Sequence, residues 1–192
     1  MKSGYVDKYR IIAIDPSTNA TGIVVLEVDL NTKKLHVAFS TTFKRRDLLR
    51  GHKWMAEVYG ERETAVYCYG EMLKELLRTW EPSAVIIESP FLSRLPQAFK
   101  ALTEILTTFR NIVVAWDVTV PFEVVDPPTV KKGIGVNGGS KDKVDMYNAL
   151  KGTTLPITYA QGLSLEDMED HEWDAIAIAL YYYNTFLQPH MV

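Results

Sequence analysis

The sequence is poor in cysteine, in long apolar runs and in net positive charge, and each shortage excludes something. Cys68 is the only cysteine of the 192 residues, so no internal disulfide can form and a reducing, cytoplasmic setting is expected. No apolar run reaches the roughly 18 residues that span a bilayer, and the start, Met1 to Lys8, lacks the apolar core of a signal peptide. A membrane partner is therefore not expected. Net charge is −3, so the chain is not one that coats nucleic acid by bulk charge. There is no internal repeat, no low-complexity tract and no linker, and Gly133, Gly135, Gly138 and Gly139 are too irregular for a dinucleotide or P-loop fingerprint. What is present is ordinary globular composition, 47% hydrophobic and 23% charged. That predicts one α/β domain over residues 1–192 with a single sizeable core.

Hydrophobic periodicity sets the expected order of elements. Residues 10–15, 21–28 and 35–43 read as three strands joined by tight turns, an antiparallel meander. Residues 44–60 are polar, basic and less regular. Residues 61–80 carry Val66, Met72, Leu73, Leu76 and Leu77 at helical spacing, and Glu81-Pro82-Ser83 ends that helix. A fourth strand covers 84–88, a second helix covers 96–110, and 112–116 either continues or breaks it. A fifth strand covers 118–125, interrupted by Pro121. A short helix is expected over 129–132 and another over 141–150 with Ser140 as N-cap; 152–164 reads as loop, and 165–187 as the last helix. The layout is a five-stranded mixed sheet flanked by helices.

Two strands end in an acid. Asp15 follows Ile11, Ile12 and Ile14, and Glu88 follows Val85, Ile86 and Ile87. A carboxylate beside such residues is costly unless something compensates it. A third acidic group, Glu169-Asp170-His171-Glu172-Trp173-Asp174, opens the last helix, where the three-residue spacing of His171 and Asp174 puts them on one face. Singly, each has a bland reading: Asp15 as turn-former, the 166–174 cluster as a solvated helix start, His171 as a surface histidine. Together they predict a convergent oxygen-rich site suited to Mg²⁺ or Mn²⁺. Two such ions would activate water against a phosphodiester without a protein nucleophile.

These residues resemble the RuvC family of Holliday-junction resolvases, within the RNase H-like nucleases. Asp15-Pro16-Ser17-Thr18-Asn19-Ala20-Thr21-Gly22 resembles the family's opening D-P-x-x-x-x-T-G. Val85 to Phe91 resembles its second acidic strand, with an aromatic three residues past the Glu. Pro127-Pro128-Thr129-Val130-Lys131-Lys132, with the glycines and Lys141 beyond, resembles its P-x-x-V-K segment, and 171–179 its closing D-A-x-A-x-A motif. The resemblance implies two Mg²⁺ ions (Mn²⁺ substituting) on Asp15, Glu88, His171 and Asp174, with Lys131 and Lys141 at the scissile region. It also implies Phe91 near the junction centre and a homodimer that nicks a four-way junction in recombination and repair. Lys132, Lys143, Arg45 and Arg46 are further expected DNA contacts. With a neutral imidazole as ligand, activity would fall with pH through the histidine range, about 6.5.

The chain departs from the family pattern in ways that suit a phage or mobile-element version. The stretch 44–60 is longer and more basic, either an added DNA contact or a solvated loop. Ser17 replaces a glycine, and Asp170, four residues before Asp174, is a rival ligand. Competing functions are a non-cleaving junction-binding module, another RNase H-like nuclease acting on RNA–DNA hybrids or in integration, and a sugar-kinase or actin-like ATPase. The ATPase is disfavoured because the chain has length for only one of that fold's two related domains.

Overall fold

The structure, a computed structural model, describes residues 8–90, 96–139 and 142–191. A six-stranded mixed sheet forms its middle layer. The strands are β1 (Lys8–Asp15), β2 (Ala20–Asp29), β3 (Leu35–Lys44), β4 (Ala84–Glu88), β5 (Phe122–Val125) and β6 (Ile157–Tyr159). Their order is β5-β4-β1-β2-β3-β6. β1 to β3 form the expected antiparallel meander, while β4, β5 and β6 add in parallel. The expected count of five strands is corrected by β6, which lies in the stretch read as loop. Its three residues pair with Leu35, His36 and Val37 on the sheet edge, a run too short to show any periodicity.

Helices α1 (Arg45–Arg50) and α2 (Lys53–Tyr59) precede the long α3 (Glu61–Trp80) and α4 (Pro96–Trp116). Then come α5 (Pro127–Gly133), α6 (Lys143–Lys151) and α7 (Asp170–Tyr182). Residues 112–116 continue α4, burying Val113 against the sheet layer. The fifth strand starts only after Pro121, whose ring supplies no ladder N–H. The N-cap of α6 is Asp142, which accepts from the Val144 N–H, in place of Ser140, which lies outside the described residues. The last helix is shorter than expected: a 3₁₀ turn, Leu165–Asp167, precedes α7, and a π turn, Tyr183–Leu187, follows it. Among the described residues no helix is long and apolar enough to cross a membrane.

The two-residue period of the strands divides the core into two halves. Ile12, Ile14, Ile23, Val25, Val85 and Ile87 face α3 and α4. Ile11, Ala13, Val24, Leu26, Ala84 and Ile86 face α7. Both halves are closely filled; Phe109, Leu73, Ile86 and Ile176 are fully buried. The small side chains Ala175, Ala177 and Ala179 let α7 lie close on β1 and β2. The same parity continues past the apolar residues. Asp15 is two residues beyond Ala13, and Glu88 two beyond Ile86, so both carboxylates emerge on the α7 side at neighbouring strand ends.

Candidate metal and nucleic-acid site

Two local features bring α7 down onto the strand ends. Gly22 is the cross-strand partner of Asp15. A Cβ at Gly22 would stand 2.0 Å from the backbone oxygen of His171, so only glycine lets the helix start here. The second is a clamp on Glu172. Its Oε1 accepts a 2.7 Å hydrogen bond from Ser40 Oγ on β3, and its Oε2 accepts from the Glu169 N–H at 2.9 Å. Ser40 reaches that side because the β2–β3 register shifts between Val25 and Leu26. The ladder passes over Ala38 and inverts the facing of the residues beyond it. Lys44 Nζ adds an ion pair to Glu169 at 2.6 Å.

With α7 so held, His171 Nδ1 lies 2.6 Å from Asp15 Oδ2. Asp15 is nearly buried, at 8% exposure. Glu88 is partly covered at the end of the adjacent strand. Burial pushes its carboxyl up to about 8, and the negative charges of Asp15 and Asp174 push in the same direction. Lys131 opposes them, and Asp126 adds to them. Lys131 is brought there by α5. Ser89 N–H donates to Val125 O at 2.7 Å, tying the ends of β4 and β5. Asp126 then caps α5, accepting from the Thr129 N–H at 3.0 Å and from Thr129 Oγ1 at 2.6 Å. Pro127 and Pro128 occupy the first turn, where no N–H is missed.

Asp15 contacts His171, and Asp15, Asp174 and Lys131 all act electrostatically on Glu88, so these five residues share one neighbourhood. Lys132 lies exposed on the same short helix, and Asp170 opens α7. Arg45 and Arg46 start α1 beyond the 16–19 turn. Phe91 and Lys141 lie outside the described residues, as does the side chain of Lys143. Among the described residues no three His, Cys, Asp or Glu side chains already surround a point where a metal ion would sit. The donors are gathered but not preassembled, and the Asp15–His171 hydrogen bond engages two of them with each other. Even so, the donor set suits a hard divalent cation: carboxylate oxygens with one imidazole, and a Glu88 carboxyl whose charge its neighbours resist.

Four contributors were missed in the sequence. Asp126 was signalled, since Asp-Pro-Pro-Thr is a capping pattern. Gly22 appeared only as a motif letter, without its reason. Ser40 and Glu172 carry no sequence signal, because they are 132 residues apart. Trp173 and the Tyr181 to Tyr183 run pack as ordinary core and near-core aromatics. Trp173 lies 5.1 Å from Tyr147, and Tyr182 and Tyr183 are buried.

The fold is similar to that of RuvC-type structures. Thermus thermophilus RuvC superposes with a TM-score of 0.64 at 19% identity, over 95% of this chain and 97% of that one. T. thermophilus RuvC in complex with a Holliday junction substrate gives 0.63 at 20% identity, over 93% and 97%. The yeast mitochondrial Holliday junction resolvase Ydc2 gives 0.65 at 13% identity, over 98% of this chain and 84% of that one. No protein-family model and no curated protein sequence matches the chain.

Proposed function

We propose that this chain is a divalent-metal-dependent endonuclease of the RuvC kind, which cuts branched DNA and resolves four-way junctions by paired nicks as a homodimer. The observation that carries the reading is the meeting of Asp15, Glu88, His171 and Asp174 at two neighbouring strand ends under α7. The fold likeness to RuvC and Ydc2 along nearly the whole chain supports the choice of substrate.

In this reading Asp15, Glu88, Asp174 and His171 hold two Mg²⁺ ions, with Mn²⁺ able to replace them. Bound there, the ions would polarise the phosphodiester and activate a water molecule. The protein's own part is positioning. The Glu172 clamp and Gly22 hold His171 and Asp174 over the strand ends. Lys131 moderates the negative charge around Glu88 and faces the substrate phosphate, while Lys132 contacts the backbone farther out. Loading requires the Asp15–His171 hydrogen bond to open.

A cleavage panel tests the assignment: four-way junction, flap, Y-fork, plain duplex and RNA–DNA hybrid, each with Mg²⁺ and with Mn²⁺. Two symmetric nicks confined to the junction are expected, and their pairing reports the dimer. Preferential cutting of the hybrid would move the protein to another RNase H-like activity. Tight junction binding with no cutting in either metal would make it a binding module.

A further inference from the structure

We propose that the segment forming α1 and α2 is a second DNA-contacting surface, a cation-rich cleft with an exposed tryptophan on the same segment, that takes the strand leaving the cutting site. This rests on the nuclease reading above and extends it.

The segment makes little sense as a core element. Neither α1 nor α2 buries a single residue. Their side chains contribute to solvent-facing surface, yet the surface is not an ordinary polar one. Residues 44–53 hold five cations, Lys44, Arg45, Arg46, Arg50 and Lys53, against one acid, Asp47, in a chain of net charge −3. Next to them stand large apolar side chains left in water: Trp54 at 65% exposure, Val58 at 68% and Tyr59 at 62%. Cations interleaved with an exposed aromatic match a nucleic-acid strand, whose phosphates repeat along the chain and whose bases offer flat faces.

Position favours the same occupant. The Arg45 N–H donates to Asn19 O at 2.8 Å, so α1 is tied to the turn that follows Asp15. A cleft of about 800 Å³ opens there, its charged lining made of four cations, Arg45, Arg46, Arg50 and Lys53, against two acids, Glu57 and Glu61. A smaller one of about 350 Å³ shares Arg45 and runs past Thr18, Arg62 and Gln97. Arg45 thus stands between two concave tracks that both begin at the Asp15 turn. The arginines are engaged with acids: Arg45 with Glu61 at 3.0 Å, Arg50 with Asp47 at 3.1 Å and Arg46 with Asp47 at 3.8 Å. Solvent-exposed pairs of this sort are weakly held, and a phosphate can displace the carboxylate.

The test is the salt dependence of binding to a four-way junction, in EDTA so that no cutting intervenes. Log affinity is measured against log salt concentration for the wild type, for Arg46→Ala/Arg50→Ala/Lys53→Ala, and for Trp54→Ala. Removing one cation that pairs with a phosphate lowers the slope by about 0.9. The triple variant is expected to lose about 2 to 3 from the slope and at least about tenfold in affinity near 0.15 M salt. Trp54→Ala should weaken binding about fivefold or more with the slope kept, since stacking releases no counterions. Circular dichroism should match the wild type, because none of these residues is buried. A wild-type slope and affinity in the triple variant would overturn the inference while leaving the nuclease reading intact. A change in oligomeric state with unchanged slope would also overturn it, giving the surface to a second copy of the chain. A wild type that neither binds nor cuts branched DNA would remove the nuclease reading itself, and this surface with it.

Discussion

Glu27 and Glu88 stand in the same sheet, each largely withdrawn from water, and the protein treats them oppositely. Glu27 belongs to β2, near the far end of β1. Burial alone would raise its carboxyl, but Arg10 Nε at 2.8 Å and Lys8 Nζ at 2.6 Å more than offset that and hold it below the ordinary range. Glu88, at the other end, meets Asp15 and Asp174, with Lys131 as the opposing charge, and is pushed up to about 8. One carboxylate is satisfied by the chain itself. The other has like charges beside it that add to the effect of its burial. That difference separates a structural ion pair from the site proposed above to take an external cation.

The contrast can be broken most severely at Gly22. Gly22→Ala puts a Cβ against the His171 backbone and lifts α7 from the acidic end only. Cutting should fall about 100-fold, the usual cost of a misplacement of about 1 Å at a reacting centre. The melting temperature should drop less severely, by an amount set by the roughly 1–3 kcal/mol of overpacking.

The pH dependence sharpens the contrast next. An unfolded glutamate titrates near about 4.3. Folded Glu88 keeps its proton up to about 8. Its contribution to stability is therefore fully present below about 4.3 and is lost as pH rises through about 8. Without divalent ions the melting temperature should fall by about 5 °C between pH 6.5 and 9, and Glu88→Gln should flatten that fall. Glu27 has the opposite sign. Its contribution is present above about 4.3 and disappears as pH falls through its lowered folded value. Glu27→Gln should flatten the acid limb alone.

Smaller effects follow from the supports. Ser40→Ala leaves Glu172 Oε1 buried without its donor and should cost about 1.5–3 kcal/mol in urea unfolding, with lowered nicking because α7 loosens. Glu27→Ala should cost only about 1 kcal/mol, since Lys8 is half exposed, and should leave nicking unchanged.

Much of this could be read from the residues because it depends on local pattern. The acid-terminated strands were visible because Asp15 and Glu88 interrupt runs of isoleucine and valine. Parity then sends both to one face. Helix α3 has the predicted bounds, Glu61–Trp80, because Gly60 precedes it and Pro82 closes it. What stayed hidden depends on distant partners. β6 exists through pairing with β3, not through its own three residues. The facing of Ser40 turns on a register shift that no periodicity reveals. Val113 and Val114 favour strands, yet α4 continues through them because Val113 packs into the core.

The most direct measurement compares the wild type with Asp15→Asn on a four-way junction, reading cutting with Mg²⁺ and binding in EDTA. Paired, Mg²⁺-dependent nicks are predicted for the wild type. The variant should bind within about threefold yet cut more than about 100-fold slower, beyond the cost of losing even an outer partner of a metal ligand. Undiminished cutting by a clean preparation of Asp15→Asn would contradict the account.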